Sequence, residues 1–318
     1  MPQRSYSHSQ ESAVVQRWAY LCGVASMYVS RLFRPEDLGG LALDLKFYEE
    51  TYGREGGGEL RDARILELGF GQRPLRLILL QSLGYDARGI DLDQPLYRLN
   101  AVSVAALFRS NGSLRAIKSL VRRTIFDGSE YRNLARFVSH RYGRQLTLDA
   151  SALVTGDLAD ASAWRRAGER FDFIYSEDVF EHIPRQALPQ VISLMADAME
   201  DHAIAVIAPM IFTGIAGGHD LDWYPHRVDR EDRSRGPAWG HLTGENSPGD
   251  TFLNKVTRRE FRDLFSSRFD IVREERVRGD LGRQHLTDER RQRLASYDED
   301  ELFSNKVRFV LRKKAPRS

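Results

Sequence analysis

Residues 65–71 read ILELGFG, and residues 89–93 read GIDLD. Each stretch is an apolar run that carries an acidic residue at its end, and the first also holds two closely spaced glycines, Gly69 and Gly71. In a parallel α/β sheet that binds a nucleoside, the first strand ends in a tight glycine turn and the second ends in a carboxylate that meets the ribose hydroxyls. The two stretches therefore predict a nucleoside site, with Asp91 as the ribose ligand.

The composition favours a globular protein of a reducing compartment. The chain has 318 residues, of which 42% are hydrophobic and 29% are charged, and its formal net charge is +2. No apolar run approaches the roughly 18–20 residues that span a bilayer, and the polar first residues lack the apolar core of a signal peptide. The single cysteine, Cys22, excludes an intrachain disulfide and a thiolate zinc cluster. We therefore expect a cytoplasmic protein, and its near-neutral charge predicts no polyanionic partner.

The order of predicted elements indicates a doubly wound α/β sheet. Hydrophobic periodicity predicts helices at 41–52, 74–83, 185–199 and 257–265, and strands at 64–68, 86–91, 151–155, 171–176, 203–208, 269–277 and 306–311. Strands that alternate with helices and then end in a strand pair predict a mostly parallel sheet with an antiparallel edge strand.

Four regions are expected along the chain. Residues 1–58 form an N-terminal helical cap that ends in a glycine-rich linker, and residues 59–318 form the main domain. Residues 95–148 are helical but too long for an ordinary crossover, so they are expected to be an insertion. Residues 213–250 are rich in Gly, Pro, His and Trp and are expected to form a long functional lid loop.

The helical insertion is locally basic. Between residues 109 and 144 the chain has nine Lys or Arg residues and two acidic residues. Two interpretations stay open at this point. The segment is either a solvated helix face, or a surface that holds an anionic partner or substrate through residues such as Arg115, Lys118, Arg122 and Arg123.

The glycine loop differs from that of a dinucleotide site. The third glycine of the dinucleotide fingerprint would fall near Pro74 and is absent. Glu67 lies inside the motif, where a carboxylate would repel phosphates but could bind a cationic amino-acid group. Both features favour a nucleoside ligand without a pyrophosphate.

Four motifs together resemble those of a known family. They are residues 65–71 (ILELGFG), 89–93 (GIDLD), 155–158 (TGDL) and 171–184 (FDFIYSEDVFEHIP). In this order they resemble the successive motifs of the class I S-adenosylmethionine-dependent methyltransferases. The resemblance covers residues 65–212 well and the remainder in outline. It implies a Rossmann-like seven-stranded sheet, S-adenosyl-L-methionine as the cofactor and methyl transfer as the activity.

The resemblance also implies roles for the residues of the first two motifs. Gly69 and Gly71 would line the methionine portion of the cofactor, with Glu67 ordering the loop. Asp91 would accept hydrogen bonds from both ribose hydroxyls, and Leu92 would pack on the adenine. The departure from the family pattern is residues 72–74, where many members have another glycine.

The remaining motifs imply three more cofactor contacts. Asp157 would bind the adenine amino group with Leu158 alongside, and Ser176 would end the fourth strand beside the methionine. An ordinary turn is the competing interpretation for Asp157, because the insertion loosens the alignment before it.

A histidine beside an acid in the lid suggests a general base. His219 precedes Asp220 shortly after the fifth strand, and a neighbouring carboxylate would orient the imidazole and raise its pKa. His182, after the fourth strand, is the second candidate, with a structural role equally open. Glu181 is interpreted as an acid at a helix N-terminus, stabilised there by the helix dipole.

Other side chains of the lid leave further interpretations open. A metal site would draw on borderline and hard ligands, but nothing in the sequence shows that they converge, so no metal site is predicted; the candidates are His219, Asp220, Asp222, His226 and His241. An aromatic set could form a substrate wall or pack the loop onto the core; it comprises Trp223, Tyr224, Trp239 and His241.

The sequence thus predicts a methyltransferase that acts on an oxygen of a small-molecule, glycan or natural-product acceptor, with a nitrogen as the second candidate atom. An NAD(P)-dependent oxidoreductase or epimerase is the first alternative, although it needs the missing glycine. A non-catalytic cofactor-binding regulatory module is the second. Nucleic-acid methylation has only the basic insertion in its favour, because no Asn-Pro-Pro-aromatic signature follows the fourth strand.

Overall fold

The computed structural model describes residues 38–96, 99–229, 236–245 and 252–314. Within them one sheet contains β1 (Arg64–Leu68), β2 (Asp86–Asp91), β3 (Leu153–Thr155), β4 (Phe171–Glu177), β5 (Met199–Ala208), β6 (Phe269–Val277) and β7 (Lys306–Lys313). The strand order is β3-β2-β1-β4-β5-β7-β6. β1 to β5 pair in parallel, whereas β7 is antiparallel to both β5 and β6. The predicted sheet with its antiparallel edge is confirmed.

Helices cover both faces of this sheet. They are α1 (Gly39–Glu55), α2 (Leu75–Leu83), α3 (Ala101–Asn111), α4 (Ser113–Arg122), α5 (Gly128–Tyr142), α6 (Ala161–Ala167), α7 (Leu188–Ala198), α8 (Gly240–Thr243), α9 (Arg258–Ser266), α10 (Asp288–Arg293) and α11 (Glu299–Leu302). Helix α9 begins with a capping box, in which Thr257 and Glu260 each accept a hydrogen bond from the other's backbone N–H. The part of the predicted N-terminal helical cap that precedes residue 38 lies outside the described residues.

The order of the strands decides where a ligand can bind. β1 pairs with β2 on one side and with β4 on the other. Strands β2 and β3 are therefore added on one side of β1, and the strands from β4 onward are added on the other. In open parallel sheets, ligands bind in the crevice beyond the carboxyl ends of the strands at such a switch point. The ends of β1, β2 and β4 carry the sequence motifs that predicted the site.

Helix α1 belongs to the packing of the main sheet. Tyr48 lies against Phe173 and Tyr175 of β4, with ring centroids 5.5 and 4.8 Å apart, and Tyr52 lies 5.9 Å from Phe173. All four rings are buried. The described end of the predicted cap therefore covers one face of the sheet and reaches the ligand crevice.

The helical insertion is built from α3, α4, a single π-helical turn over Arg123–Asp127, and α5. Helix α5 joins the main core through Tyr131, Leu134 and Val138, which pack on the α1 side of the sheet. An ion pair between Arg73 and Glu130 ties α5 to the loop that precedes α2. The last helix of the insertion is therefore anchored beside the glycine loop.

The described parts of the predicted lid form a small core of their own. Trp223 and Trp239 are 4% and 0% exposed, and they pack with Leu281 and Phe303 from the region before β7. These two indoles therefore pack the loop instead of forming an open substrate wall. Across the residues that can be described, no helix combines the length and the apolarity needed to cross a membrane.

Candidate functional site

A cavity of about 910 Å³ lies at the carboxyl ends of β1, β2 and β4. Its walls include Glu67, Gly69, Gly71, Asp91 and Leu92, which the sequence motifs selected. Helix α1 closes one side, and the segment after β4 closes another. The structure therefore brings five of the predicted cofactor residues to one cavity.

The glycine loop after β1 adopts a conformation that side chains disfavour. Gly69 and Gly71 have φ angles of 78° and 65°, in the left-handed region that favours glycine. A Cβ on Gly69 would overlap the side chain of Val179, whereas a Cβ on Gly71 would have nothing within 4 Å. Gly69 thus allows close packing under the cavity, and Gly71 leaves space inside it.

Asp91 joins the end of β2 to this loop. Its Oδ2 accepts a hydrogen bond of 2.7 Å from the backbone N–H of Gly71, and its Oδ1 accepts one of 2.8 Å from the N–H of Asp93. A carboxylate has about four acceptor positions, so capacity remains for two hydroxyl groups. Burial raises the pKa of Asp91 above its ordinary value, against the two backbone hydrogen bonds. Leu92, beside it, is 60% exposed.

Glu67 is a buried carboxylate on the cavity wall. It is 4% exposed, and its Oε2 has no hydrogen-bond partner among the described residues. Burial raises the pKa of Glu67 to about 7, although Arg76 acts in the opposite direction. A buried and incompletely paired carboxylate favours the approach of a cation or a hydrogen-bond donor.

These residues suit S-adenosylmethionine better than a dinucleotide. Glu67 offers an unpaired acceptor for a cationic amino group, Asp91 has acceptor capacity for ribose hydroxyls, and Leu92 offers an exposed apolar surface for a purine ring. A pyrophosphate would meet the Glu67 carboxylate on the same cavity wall. The donor and acceptor set therefore fits a ligand with a positive charge and no phosphate.

Three other predicted cofactor residues do not line this cavity. Asp157 is an exposed turn acid that accepts a hydrogen bond of 2.8 Å from the N–H of Ala159. Leu158 is buried in the core beside Trp164, whose indole N–H donates to its carbonyl. Ser176 donates to the carbonyl of Leu68 at 2.8 Å and so links β4 to β1. In this structure the motifs around these residues serve the sheet and its turns.

Two histidines meet at the rim of the cavity. His182 lines the cavity, and its ring lies 5.1 Å from the ring of His219 at an interplanar angle of 88°. His182 Nδ1 is 2.9 Å from the carbonyl of Phe252, which leaves Nε2 on the other side of the ring. His219 Nε2 is buried and has no hydrogen-bond partner among the described residues. The structure thus brings together both histidines that the sequence proposed as bases.

The expected pairing of His219 with Asp220 is not what the structure shows. Asp220 accepts a hydrogen bond of 3.0 Å from the N–H of Asp222 and caps a short 3₁₀ turn. Burial and the neighbouring His182 lower the pKa of His219 to about 4, and the acid that opposes them is Asp178. The upward shift that a partner at Asp220 would cause is therefore replaced by a downward shift, because burial outweighs the nearby negative charge.

Glu181 also differs from its sequence interpretation. Helix α7 begins at Leu188, so Glu181 lies in a separate 3₁₀ turn, Phe180–His182, and not in the first turn of the helix. The residue is 4% exposed, and neither carboxylate oxygen has a hydrogen-bond partner in the described chain. Burial, reinforced by Asp178, raises the pKa of Glu181 well above its ordinary value. The backbone turn before Pro184 places this acid under the two histidines instead of at the protein surface.

A charged network that the sequence analysis did not identify supports the cavity floor. Glu177 accepts a hydrogen bond of 2.8 Å from the hydroxyl of Tyr48, and its other oxygen lies 2.6 Å from Nζ of Lys306. Burial alone would raise the pKa of Glu177, but Lys306, Arg76 and Arg308 bring it below its ordinary value. In the sequence, this network was indicated by an acid, Glu177, that directly follows the predicted apolar strand 171–176. Its partners come from distant parts of the chain, so the sequence pattern did not identify them.

Asn254 is a second residue that the sequence analysis missed. Its Nδ2 donates to the carbonyls of Phe180 and Ile183 at 2.7 and 2.8 Å, and its Oδ1 accepts from the N–H of Val256. The side chain is buried, so these bonds hold residues 252–256 over the segment that follows β4. Asn254 thereby keeps the carbonyl of Phe252 against His182.

The chain was compared with proteins of known structure, and the similar structures include several described as methyltransferases. A methyltransferase from Archaeoglobus fulgidus described as S-adenosylmethionine-dependent aligns with a TM-score of 0.43 and 12% identity over 91% of this chain and 99% of that one. A TehB-like S-adenosylmethionine-dependent methyltransferase from Corynebacterium glutamicum aligns with a TM-score of 0.39 and 14% identity over 97% and 100%. At these TM-scores and sequence identities, the comparisons give no information on the substrate of this chain.

A third solved structure, the 1,6-didemethyltoxoflavin-N1-methyltransferase from Burkholderia thailandensis with bound S-adenosylhomocysteine, aligns with a TM-score of 0.41 and 13% identity over 93% and 90% of the chains. No protein-family model matches the chain, and no curated protein matches it by sequence. The strand order, the reversal at β1 and the cavity at the strand ends are nevertheless clear in the structure itself. The chain has the doubly wound seven-stranded sheet with an antiparallel edge that the resemblance to the class I S-adenosylmethionine-dependent methyltransferases predicted.

Proposed function

We propose that this chain is a methyltransferase that transfers the methyl group of S-adenosylmethionine to an oxygen of a small-molecule, glycan or natural-product acceptor. The observation that carries the proposal is the cavity that combines Glu67, the glycine loop and Asp91 with the exposed side chain of Leu92. Glu67 would hold the cationic amino group, and Asp91 would hold the ribose. Leu92 would cover the adenine.

The chain's own residues would bind and orient the two reactants. When bound, S-adenosylmethionine supplies a methyl group already activated on a sulfonium. The protein must therefore align the acceptor oxygen with that methyl group and exclude competing water, and alignment accounts for much of the acceleration in such reactions. His182 lines the cavity beyond the glycine loop, so the acceptor is expected to enter beside the two histidines.

A hydroxyl acceptor must also lose its proton. His219 Nε2 is an acceptor without a partner in the described chain, and burial keeps the imidazole neutral at pH 7 by lowering the pKa of His219 to about 4. It is our first candidate for the group that receives the proton, and His182 is the second. Asp220 is retained as a support for the turn that carries His219, since its carboxylate accepts a hydrogen bond from the backbone N–H of Asp222.

The cofactor can be tested by calorimetry with the purified chain. We expect S-adenosylhomocysteine to bind and NAD(P) to bind at least a hundredfold more weakly, because the Glu67 carboxylate on the cavity wall would repel a pyrophosphate bound near it. Tighter binding of NAD(P) would contradict the proposal and favour an oxidoreductase or epimerase.

Catalysis needs a separate test, since a regulatory module could keep the same fold. Labelled S-adenosylmethionine should transfer its methyl group to a compound in a small-molecule extract in the presence of the wild-type chain and not of its Asp91→Ala variant. Binding of the cofactor without any transfer, to any fraction of the extract, would favour the regulatory interpretation. The labelled product, once isolated, would show whether the acceptor atom is oxygen or nitrogen.

A further inference from the structure

Three side chains with metal-binding groups converge at the rim of the cavity. One ligand atom each from Glu181, His182 and His219 can be chosen so that all lie within 4.8 Å of one another. The residues come from the 3₁₀ turn after β4 and from the loop after β5, so the sheet order brings them together. This set differs from the five candidate metal ligands of the lid that the sequence analysis considered without predicting a metal site. His219 is the one residue that the two sets share.

The carboxylate of Glu181 is the strongest indication that something is bound there. Its side chain is 5% exposed, and neither oxygen has a hydrogen-bond partner in the described chain; the backbone N–H groups of Glu181 and Met210, which lie nearby, do not reach hydrogen-bonding geometry. A buried carboxylate with no partner is costly, and such groups in proteins are normally paired or bound to a metal. Lys306, the nearest opposing charge, is held by Glu177 and Asp178 at 2.6 and 2.9 Å.

Both histidines present an imidazole nitrogen toward this carboxylate. His182 Nε2 lies 4.0 Å from Glu181 Oε1, while Nδ1 lies 2.9 Å from the carbonyl of Phe252. A histidine that binds a metal through one nitrogen commonly donates the other N–H to a carbonyl, which fixes the ring. His219 has a buried Nε2 with no hydrogen-bond partner among the described residues, and its φ of 52° is a strained backbone conformation of the kind that occurs at functional sites.

We propose that Glu181, His182 and His219 bind one divalent metal ion of the borderline transition series, such as Zn²⁺, Fe²⁺ or Co²⁺. Two imidazoles and one carboxylate form the donor set that suits these ions, and they leave coordination positions open. In a tetrahedral site with bonds of about 2.0–2.1 Å, ligand atoms are about 3.4 Å apart, so the three side chains need to move inward by about 1 Å. Because His182 lines the cavity, an ion held by this set would lie beside the expected acceptor. One imidazole nitrogen cannot bind an ion and accept a proton at the same time, so occupancy of this site would replace the general-base role proposed for His219.

The test uses metal binding by the whole chain, with no cofactor or acceptor present. The protein is treated with a chelator, dialysed and titrated with Co²⁺, and the visible absorption of bound Co²⁺ is followed before Zn²⁺ is added to displace it. We expect one ion per chain, bound at micromolar concentration or tighter. Elemental analysis of the protein as purified measures the occupancy independently.

Matched variants identify the ligands. Glu181→Gln and His219→Ala should each weaken Co²⁺ binding at least a hundredfold, whereas His226→Ala, an exposed histidine of the same loop, should leave it unchanged. Thermal unfolding shows whether each variant is folded, and Glu181→Gln keeps the size of the side chain. Uptake of less than one ion by the wild type, or equal binding by Glu181→Gln, would overturn the proposal.

The metal-site proposal and the proposed function can be contradicted independently of each other. S-adenosylhomocysteine binding would depend on Glu67 and Asp91 and should be unaffected by chelation. No binding in calorimetry, either before or after chelation, would count against the cofactor site alone. Metal binding that persists without any cofactor affinity would leave the triad in place and remove the methyltransferase proposal. The two measurements thus report on different residues of the same cavity.

Discussion

The carboxylate of Asp91 accepts a hydrogen bond of 2.7 Å from the backbone N–H of Gly71. This bond links the end of β2 to the loop after β1, although the two residues lie 20 positions apart in the chain. The acid that would hold the ribose therefore also sets the shape of the loop that would hold the methionine portion. In the proposed site, cofactor affinity and loop geometry would therefore depend on the same side chain.

Replacing Asp91 by alanine should remove the two ribose hydrogen bonds and release the glycine loop. A hydrogen bond to a charged group contributes roughly 1.5–3 kcal/mol, so the affinity for S-adenosylhomocysteine should fall about a hundredfold or more. Calorimetry measures the effect. Asp86→Ala, an exposed acid at the other end of β2, is the control and should bind like the wild type. Equal affinities for the two variants would place the ribose elsewhere.

The two glycines of the loop should respond differently to alanine. Gly69→Ala combines a left-handed backbone, which costs roughly 1–2 kcal/mol, with overlap onto Val179, which adds about 1–3 kcal/mol. Gly71→Ala has only the backbone cost, but its methyl group would enter the cavity. Chemical denaturation should therefore show the larger loss of stability for Gly69→Ala, and calorimetry should show a clear loss of cofactor affinity for Gly71→Ala.

A third variant checks the cause of that difference. Val179→Ala should restore part of the stability lost in Gly69→Ala, because it removes the atoms that the new methyl group meets. Strictly additive effects of the two substitutions would show that the overlap is relieved in some other way.

Glu67 should make the stability of the ligand-free protein depend on pH. Its pKa of about 7 in the folded state lies above the 4.5 of the unfolded chain, so the folded state holds the proton more tightly. The contribution is fully present below about pH 4.5 and is lost as the pH rises through 7, by about 3 kcal/mol in total. Unfolding free energies of the wild type and of Glu67→Gln, measured between pH 5 and 8, should therefore diverge, with the wild type losing stability relative to the variant.

The same carboxylate should release a proton when the cofactor binds. A cationic amino group beside Glu67 favours its ionised form and lowers its pKa. Calorimetric titrations near pH 6.5 in buffers of different ionisation enthalpy should reveal this release in the wild type and not in Glu67→Gln. Parallel stability curves together with no proton release would show that Glu67 is already ionised in the free protein.

His219→Ala should lower turnover by about 10²–10⁴-fold, the usual contribution of a general base, and leave cofactor binding nearly unchanged. His182→Ala is tested beside it, and His226→Ala serves as the exposed control. If His182→Ala abolishes turnover while His219→Ala remains within a few-fold of the wild type, the proton is transferred to His182. An acceptor that needs neither histidine would be a nitrogen or a hydroxyl deprotonated by solvent.

Asn254→Ala should destabilise the protein, because the carbonyls of Phe180 and Ile183 lose their buried donor. Unsatisfied buried groups cost about 1–3 kcal/mol each, so the loss at the two carbonyls should lower the free energy of unfolding by about 2–6 kcal/mol. Lys255→Ala, the exposed neighbour, should change it by less than about 0.5 kcal/mol. A loss of equal size in both variants would show that Asn254 does not hold this segment.

The sequence by itself determined the sheet and the first half of the cofactor cavity. Strands β1, β2 and β6 have the predicted limits, because period-two and buried apolar runs end at glycines and acids that the neighbouring turns need. Asp91 and Gly71 meet because parallel strands end at one edge of a sheet. Such relationships follow from local pattern and topology alone.

Only the tertiary structure decided the surroundings of the acids and histidines. In the sequence Glu181 looks like a helix-capping acid and Asp220 like the partner of His219, since adjacency is the only evidence there. In the structure Glu181 is buried beside His182 and His219, and the Asp220 carboxylate accepts a hydrogen bond from the backbone N–H of Asp222. The free energy of a charged side chain depends on its burial and on partners contributed by distant segments, and these are set by how the whole chain packs.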